Sequence, residues 1–409
     1  MPTTMITDRT TFLDELTHLE EKFASLSPEL ELTVRDSEMG VKGFVVVWNT
    51  QASIGGPLGR VGKGGTRITP SVHLDEIKML SRIMTLKNAA AGLPLGGAKS
   101  GLVGNPDEPG FERKYRRFVE MVKPILKENG GIFGGFGFDL GARPEHVKWA
   151  CDELGSLKSF TGKPVEMGGT DYDNEGIAGL GVVTAAKSML EVQGRSMAGT
   201  TCAIQGLGAM GAAIFRYATE HGAKVIAIAD LLIGGTFVFP DGIPETFHES
   251  IVKRDVPALQ KLLAEGNYVA KSLDDVLYQK VDVLYPAAKQ DVIDANTVKQ
   301  VQAQYVVEAA NNPLSPEART YLYEHNVGLV PDFIANPGGI IAAFVEMSSA
   351  VSPEDNAAQR TNVYEAKAMT IANVTKSVRT MLDLSRRYQV EPSRAGMHIA
   401  LTSIFGSGM

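Results

Sequence analysis

The sequence predicts a two-domain α/β protein on three observations. Its 409 residues, 44% hydrophobic and 21% charged, supply apolar material for more than one ordinary core. From residue 201 onward, short β-branched runs alternate with helical segments, the pattern of a parallel sheet flanked by helices. The 43 glycines follow no collagen period and no low-complexity tract, so they serve local backbone geometry.

The elements follow in chain order. Phe12, Leu16, Leu19, Phe23 and Leu26 recur at helical spacing with Glu15, Glu20, Glu21 and Lys22 between them, which predicts an opening amphipathic helix. Gly43 to Trp48 is a short strand, and Gly55 to Gly65 is too glycine-rich for regular structure. A helix capped by Ser71 runs through Leu74, Ile77, Leu80 and Met84 to Lys87, ended by Gly92 and Pro94. Gly96 to Gly104 and Gly130 to Gly141 complete three glycine loops, an arrangement that presses backbone close to something small.

Beyond Gly168 and Gly169 the pattern changes. Strands are predicted at Thr201 to Gln205, Lys224 to Ala229, Val281 to Leu284, Tyr305 to Val307 and Gly328 to Val330, with a helix over Ala209 to His221. Ile340 through Ser385 reads as helices returning to the first domain. The expected boundaries are residues 1–180, completed by 345–409, for one domain and 181–344 for the other.

Several function classes are excluded. With 40 Lys and Arg against 47 Asp and Glu, the net charge of -7 offers no basic field for nucleic acid. No run approaches the ~18 apolar residues of a membrane span, and residues 1–9 do not read as a signal peptide. Cys151 and Cys202 make no disulfide framework, which fits a reducing cytoplasmic setting, and the seven histidines form no ligand pair, so no metal is expected.

Gly206-Leu207-Gly208-Ala209-Met210-Gly211 is a GxGxxG turn between a predicted strand and helix. In that setting Gly206 makes the tight turn, Gly208 lets backbone approach a pyrophosphate, and Gly211 allows helix and strand to pack closely. Asp230 ends the next strand, where a carboxylate accepts from a ribose 2'-hydroxyl, and residues 231–234 include no Lys or Arg to hold a 2'-phosphate. The second domain therefore reads as a Rossmann-type dinucleotide-binding domain that favours NAD, with NADP possible if a distant basic residue reaches the site.

Lys63, Lys87 and Lys99 each sit among small or apolar neighbours, unlike lysines on a solvated face. Three ammonium groups facing one cavity call for an anion. Two can hold carboxylates, and crowding with desolvation lowers the pKa of the third until it can act as a general base. Asp139, between Phe138 and Leu140, is a candidate proton carrier beside them, although a purely structural ion-pair network has the same composition.

These motifs, KGGTR at Lys63, MTLKNA at Lys87, PLGGAKSG at Lys99, FDLG at Asp139, TGKP at Thr161, QGLGAMG at Gln205, EAANNP at Glu308 and PDFIANPGG at Pro331, stand in an order that resembles the Glu/Leu/Phe/Val dehydrogenases, most closely the small hexameric glutamate type. The resemblance implies NAD(P)-dependent, reversible oxidative deamination of an L-amino acid to a 2-oxo acid and ammonia. It implies that Lys99 is the catalytic lysine, Asp139 the proton shuttle, Lys87 the α-carboxylate ligand and Lys63 the partner of a side-chain carboxylate. It also implies that Asn311 and Asn336 contact the cofactor and that the protein is a homohexamer.

Two departures bear on the substrate. Ala343 stands where glutamate enzymes of the family carry a serine, and Ala178 stands where a threonine is expected near the nicotinamide. Retained Lys63 favours L-glutamate, since a buried lysine facing an apolar side chain lacks a partner. The lost serine leaves branched-chain or other apolar amino acids as the alternative, and a non-catalytic nucleotide-binding regulatory homologue as the reading from another class.

Overall fold

The computed structural model describes residues 8–349 and 356–406. Helix α1 (Arg9–Ala24) starts where the Asp8 carboxylate accepts the Thr11 N–H, and its face of Phe12, Leu16, Leu19 and Phe23 is buried. Strands β1 (Leu30–Asp36) and β2 (Val41–Asn49) form an antiparallel hairpin. Strand β3 (Gly62–Lys63), β4 (Thr66–Thr69), helix α2 (Leu74–Ala90) and β5 (Gly96–Val103) follow. The sheet runs β1-β2-β5-β3, with β4 parallel to β5.

Three expectations differ from the structure. The glycine stretch 96–104 is not a loop but the central strand β5, and the stretch 55–65 contains β3. Side-chain pattern hides the strand because α2 lies directly on it: a Cβ on Gly97 would stand 2.1 Å from the Thr85 nitrogen, and one on Gly101 would stand 2.8 Å from Ile77 Cδ1. The cap of α2 is His73 rather than Ser71, its ring nitrogen accepting the Glu76 N–H at 3.1 Å.

Strand β2 shows why the first sheet is two-faced. Val45 and Val47 join the cluster under α3 (Phe111–Val122) and α4 (Pro144–Leu154), while Phe44 and Val46 pack on the α2 side with Val72 and Ile77. The short basic run 113–117 lies on α3, with Arg116 and Arg117 paired to Glu112, Glu120 and Asp36.

Helices α5 (Tyr172–Glu175) and α6 (Ile177–Val192) lead into the second sheet. Its elements are β6 (Thr201–Gln205), α7 (Ala209–Glu220), β7 (Lys224–Asp230), β8 (Gly235–Val238), α8 (Glu245–Lys253), α9 (Val256–Glu265), β9 (Val283–Pro286), β10 (Tyr305–Val307), α10 (Pro316–Glu324) and β11 (Gly328–Val330). The order is β11-β10-β9-β6-β7-β8, parallel except for β8, which turns back antiparallel on β7. That edge strand escapes sequence reading because its four residues follow β7 through a short turn, with no helix to separate them.

The chain ends with α11 (Asp332–Ala335), α12 (Gly338–Ser348), α13 (Asn356–Tyr388) and α14 (Pro392–Phe405). Helix α14 packs on α2 and α1, whereas α13 lies mainly against α6. Asn373 and Ser377 of α13 also donate to the carbonyls of Ala91 and Ala90 at the end of α2. One continuous apolar cluster therefore joins α1, α13 and α14 to the inner face of the second sheet. No helix among the described residues is long and apolar enough to cross a membrane, and both cysteines are buried and free.

Candidate active site

A cleft of about 580 Å³ opens where the first half of the first sheet's central strand faces α12 and the loop before α5. It brings together Lys63, Lys87, Lys99, Asp139, Ala178, Asn336 and Ala343, residues drawn from positions up to 280 apart in the chain. Sequence spacing alone could not place them on one wall.

Lys99 lies mid-strand in β5, opposite Val46 of β2, and is 5% exposed. Its ammonium is 3.1 Å from Asp139 Oδ1, and burial lowers its pKa against the pull of that carboxylate. Asp139 sits in the third glycine loop, which is held to β4 by the Thr66 N–H on the Gly137 carbonyl (2.9 Å) and the Ile68 N–H on the Leu140 carbonyl (2.8 Å). Gly65 and Gly141 permit that approach, because a Cβ on either would fall 2.3 Å and 1.9 Å from the Phe138 and Ile68 carbonyl oxygens. Although burial favours the neutral acid, Lys99 and Arg67 hold the Asp139 carboxyl below its ordinary range.

Lys63, at the end of β3 beside Gly97, points its ammonium at the carbonyls of Gly135 (3.0 Å) and Phe136. Burial brings its pKa down to about 7, with Glu346 opposing and Lys163 and Lys99 reinforcing that shift. Lys87, in the last turn of α2, donates to Asn311 Oδ1 at 3.2 Å, and its enclosure likewise lowers its pKa. Asn336 Nδ2 donates to the same oxygen (3.3 Å) and to the Ala309 carbonyl (3.0 Å), while its own buried Oδ1 has no partner among the described residues.

The EAANNP and PDFIANPGG segments are joined through charge. Glu308, fully buried, takes two 2.7 Å hydrogen bonds from Arg319 and the Asp332 N–H at 3.0 Å, while the Asp332 carboxylate accepts the Asn312 N–H at 2.8 Å. Burial raises the Glu308 carboxyl to about 6 despite the guanidinium. The two asparagines are thus presented from one rigid unit.

Glu346, on α12, is a site residue that no sequence motif marks. It is 5% exposed and forms a buried pair with Lys163, accepts the Tyr172 hydroxyl at 2.6 Å, and accepts the Gly162 N–H at 3.1 Å. Three segments of the cleft wall therefore close on one carboxylate. Lys163 was visible in the TGKP motif, but Tyr172 carried no signal in its neighbourhood.

The GxGxxG segment forms a tight turn between β6 and α7. Gly206 adopts φ +88°, a Cβ on Gly211 would lie 1.8 Å from the Gly206 carbonyl oxygen, and nothing stands within 4 Å of a Cβ on Gly208. The close contact explains one glycine, and the open space beside Gly208 fits backbone approach to a pyrophosphate. Asp230 accepts the N–H groups of Leu207 (2.7 Å) and Leu232 (2.8 Å), so its carboxylate is fixed at the mouth of this loop.

A sequence profile described as Glutamate/Leucine/Phenylalanine/Valine dehydrogenase matches residues 168–405, and one described as Glu/Leu/Phe/Val dehydrogenase, dimerisation domain, matches 29–156. The chain belongs to the Glu/Leu/Phe/Val dehydrogenase family. It is an amino acid dehydrogenase. Among the relatives of this dehydrogenase, an NADP(+)-dependent glutamate dehydrogenase of Pyrobaculum calidifontis is 37% identical over 298 residues, covering 69% of this chain and 68% of its own. An NADP-specific glutamate dehydrogenase of Saccharolobus shibatae is 29% identical over 368 residues, 88% of this chain and 82% of its own. The hetero-hexameric glutamate dehydrogenase of Thermus thermophilus, solved in a leucine-bound form, superposes with a TM-score of 0.71 at 25% identity, covering 99% of this dehydrogenase and 98% of that chain. The expected family and two-domain α/β class agree with these matches.

Proposed function

We propose that this dehydrogenase converts L-glutamate, reversibly, to 2-oxoglutarate and ammonia. The supporting observation is a single cleft onto which Lys63, Lys87, Lys99 and Asp139 converge, with Lys163, Asp171 and Asp173 also on its wall and with Lys63 buried. A cation whose pKa has fallen to about 7 through desolvation recovers its charged form against a substrate carboxylate, which is the physical basis for selecting a dicarboxylic amino acid.

The roles divide by position. Lys87 holds the α-carboxylate; Asp139 exchanges protons at the substrate nitrogen; Lys99, its pKa lowered by desolvation, takes a proton from the water that adds to the 2-imino carbon. Gly206, Gly208, Gly211, Asp230, Asn311 and Asn336 hold the dinucleotide, with the unpartnered Asn336 Oδ1 free to accept from a carboxamide. The cofactor supplies a hydride acceptor in this cleft and nothing else. The domain division at 180 and 344 follows from the same reading, as do a cytoplasmic location and assembly as a homohexamer.

The alternative, an apolar amino acid substrate, is favoured by Ala343, which removes a hydroxyl from the cleft wall. NAD(P)H formation with L-glutamate, L-leucine, L-valine and L-phenylalanine separates the two. A Lys63→Leu variant is expected to lower kcat/KM for glutamate by about one to two orders of magnitude, the worth of a charged hydrogen bond, while leaving leucine turnover within a few fold. Glutamate turnover insensitive to this change rejects the assignment of Lys63.

On the cofactor, fixed Asp230 and the exposed Leu231 and Leu232 beside it favour NAD. A 2'-phosphate would meet a carboxylate with no cation at 231–234, a like-charge clash that costs several kcal/mol. Asp230→Ser is expected to shift the kcat/KM ratio toward NADP by about tenfold or more, measured with both cofactors at saturating amino acid. An unchanged ratio means that other residues set the preference.

A further inference from the structure

Asp139 has two carboxylate oxygens, and the fold treats them differently. Oδ1 faces the cleft, 3.1 Å from the Lys99 ammonium, while Oδ2 accepts the Arg67 Nε–H at 2.8 Å. Arg67 is 20% exposed at its side chain and stands behind Asp139, outside the cleft lining; its Nη1 donates to Glu76 at 2.7 Å. Four charges thus form a line, Glu76, Arg67, Asp139, Lys99, supplied by α2, β4, the third glycine loop and β5.

The backbone makes this line unavoidable. Thr66 and Ile68 of β4 bond the carbonyls of Gly137 and Leu140, so Arg67, between them, projects where Asp139 projects. In register, Thr66 pairs Ser100 and Arg67 pairs Gly101 on β5, which places Arg67 two residues along from Lys99. A guanidinium fixed at one end by Glu76 has little freedom to follow Asp139 elsewhere.

We infer that Arg67 is a positioning residue for the reaction, locking Asp139 through Oδ2 so that only Oδ1 is offered to Lys99 and the substrate nitrogen. This rests on the reading of Asp139 as the proton carrier. It touches neither substrate nor cofactor, and its effect travels through Asp139.

The charges give the test its direction. Asp139 faces Lys99 and Arg67; Lys99 faces Asp139, with Arg67 and Glu76 beyond and Lys63 and Lys87 across the cleft. Arg67 lowers the pKa of both Asp139 and Lys99, so removing it raises both. Each rise moves the acid limb of the pH profile the same way, to higher pH.

The experiment compares Arg67→Gln, Arg67→Lys, Asp139→Asn and the Arg67→Gln/Asp139→Asn double variant in the full chain. Readouts are kcat, KM, the pH dependence of kcat/KM and thermal unfolding. Expected for Arg67→Gln are a kcat about 10- to 100-fold lower, a KM changed no more than a few fold, and an acid limb about one pH unit higher. Arg67→Lys should recover part of the kcat, and the double variant should be no slower than Asp139→Asn. A loss confined to KM or to melting temperature, an unmoved acid limb, or additive losses in the double variant each overturn the positioning role. Unimpaired turnover in Asp139→Asn instead overturns the reading of Asp139 itself, and a slow Asp139→Asn beside an unaffected Arg67→Gln overturns only the inference about Arg67.

Discussion

Replacing Lys99 by alanine is expected to lower turnover by about 10³-fold or more at every pH while dinucleotide binding stays within a few fold of the parent. A general base contributes about 10²- to 10⁴-fold, and Lys99 also supplies the charge opposite Asp139 Oδ1, so the loss belongs in the upper part of that range. The glycine turn proposed to hold the dinucleotide follows β6 in the other sheet, which is why binding should survive. Steady-state rates with glutamate and cofactor titration by fluorescence read the two quantities separately. Unchanged turnover would mean that the chain binds nucleotide without using this lysine, as a regulatory homologue would.

The second large effect falls on folding. Gly97→Val should abolish soluble expression or lower the unfolding temperature by 10 °C or more, because its Cβ would lie 2.1 Å from the Thr85 nitrogen and 2.2 Å from the Thr85 hydroxyl. Overpacking a rigid core ordinarily costs about 1–3 kcal/mol, and here the obstruction is helix backbone, which cannot rotate aside. Lifting α2 off β5 would also carry Lys87 away from Lys99, so any folded fraction should bind substrate poorly. Thermal unfolding by circular dichroism decides it; a variant that melts with the parent would show that α2 does not sit as tightly on β5 as these distances require.

Both outcomes trace to β5, and β5 is where sequence reading and structure part company. A strand is recognised by its side chains, and Gly96-Gly97-Ala98-Lys99-Ser100-Gly101 has almost none. Its extended form is imposed by neighbours on both edges, β2 on one and β3 with β4 on the other, and by α2 across its face. The third glycine cluster, read the same way, does remain a loop, since its carbonyls are bound by β4 and by the Lys63 ammonium instead of a full ladder.

What the amino-acid order determined alone is whatever depends on near neighbours. The periodicity of Phe12, Leu16, Leu19 and Phe23 specifies a helix face; the GxGxxG spacing specifies a tight turn between strand and helix; the apolar surroundings of Lys63 and Lys99 specify cations that leave solvent. Tertiary structure alone decided which groups meet. It turned the three lysines and Asp139 onto one cleft, set Arg67 against the far oxygen of Asp139, and brought Glu346 under Lys163 and Tyr172 across more than 170 residues of chain. The physical reason is range: backbone preference and periodicity act over a few residues, whereas charge pairing and desolvation act between groups that only the packed sheets bring within a few ångströms.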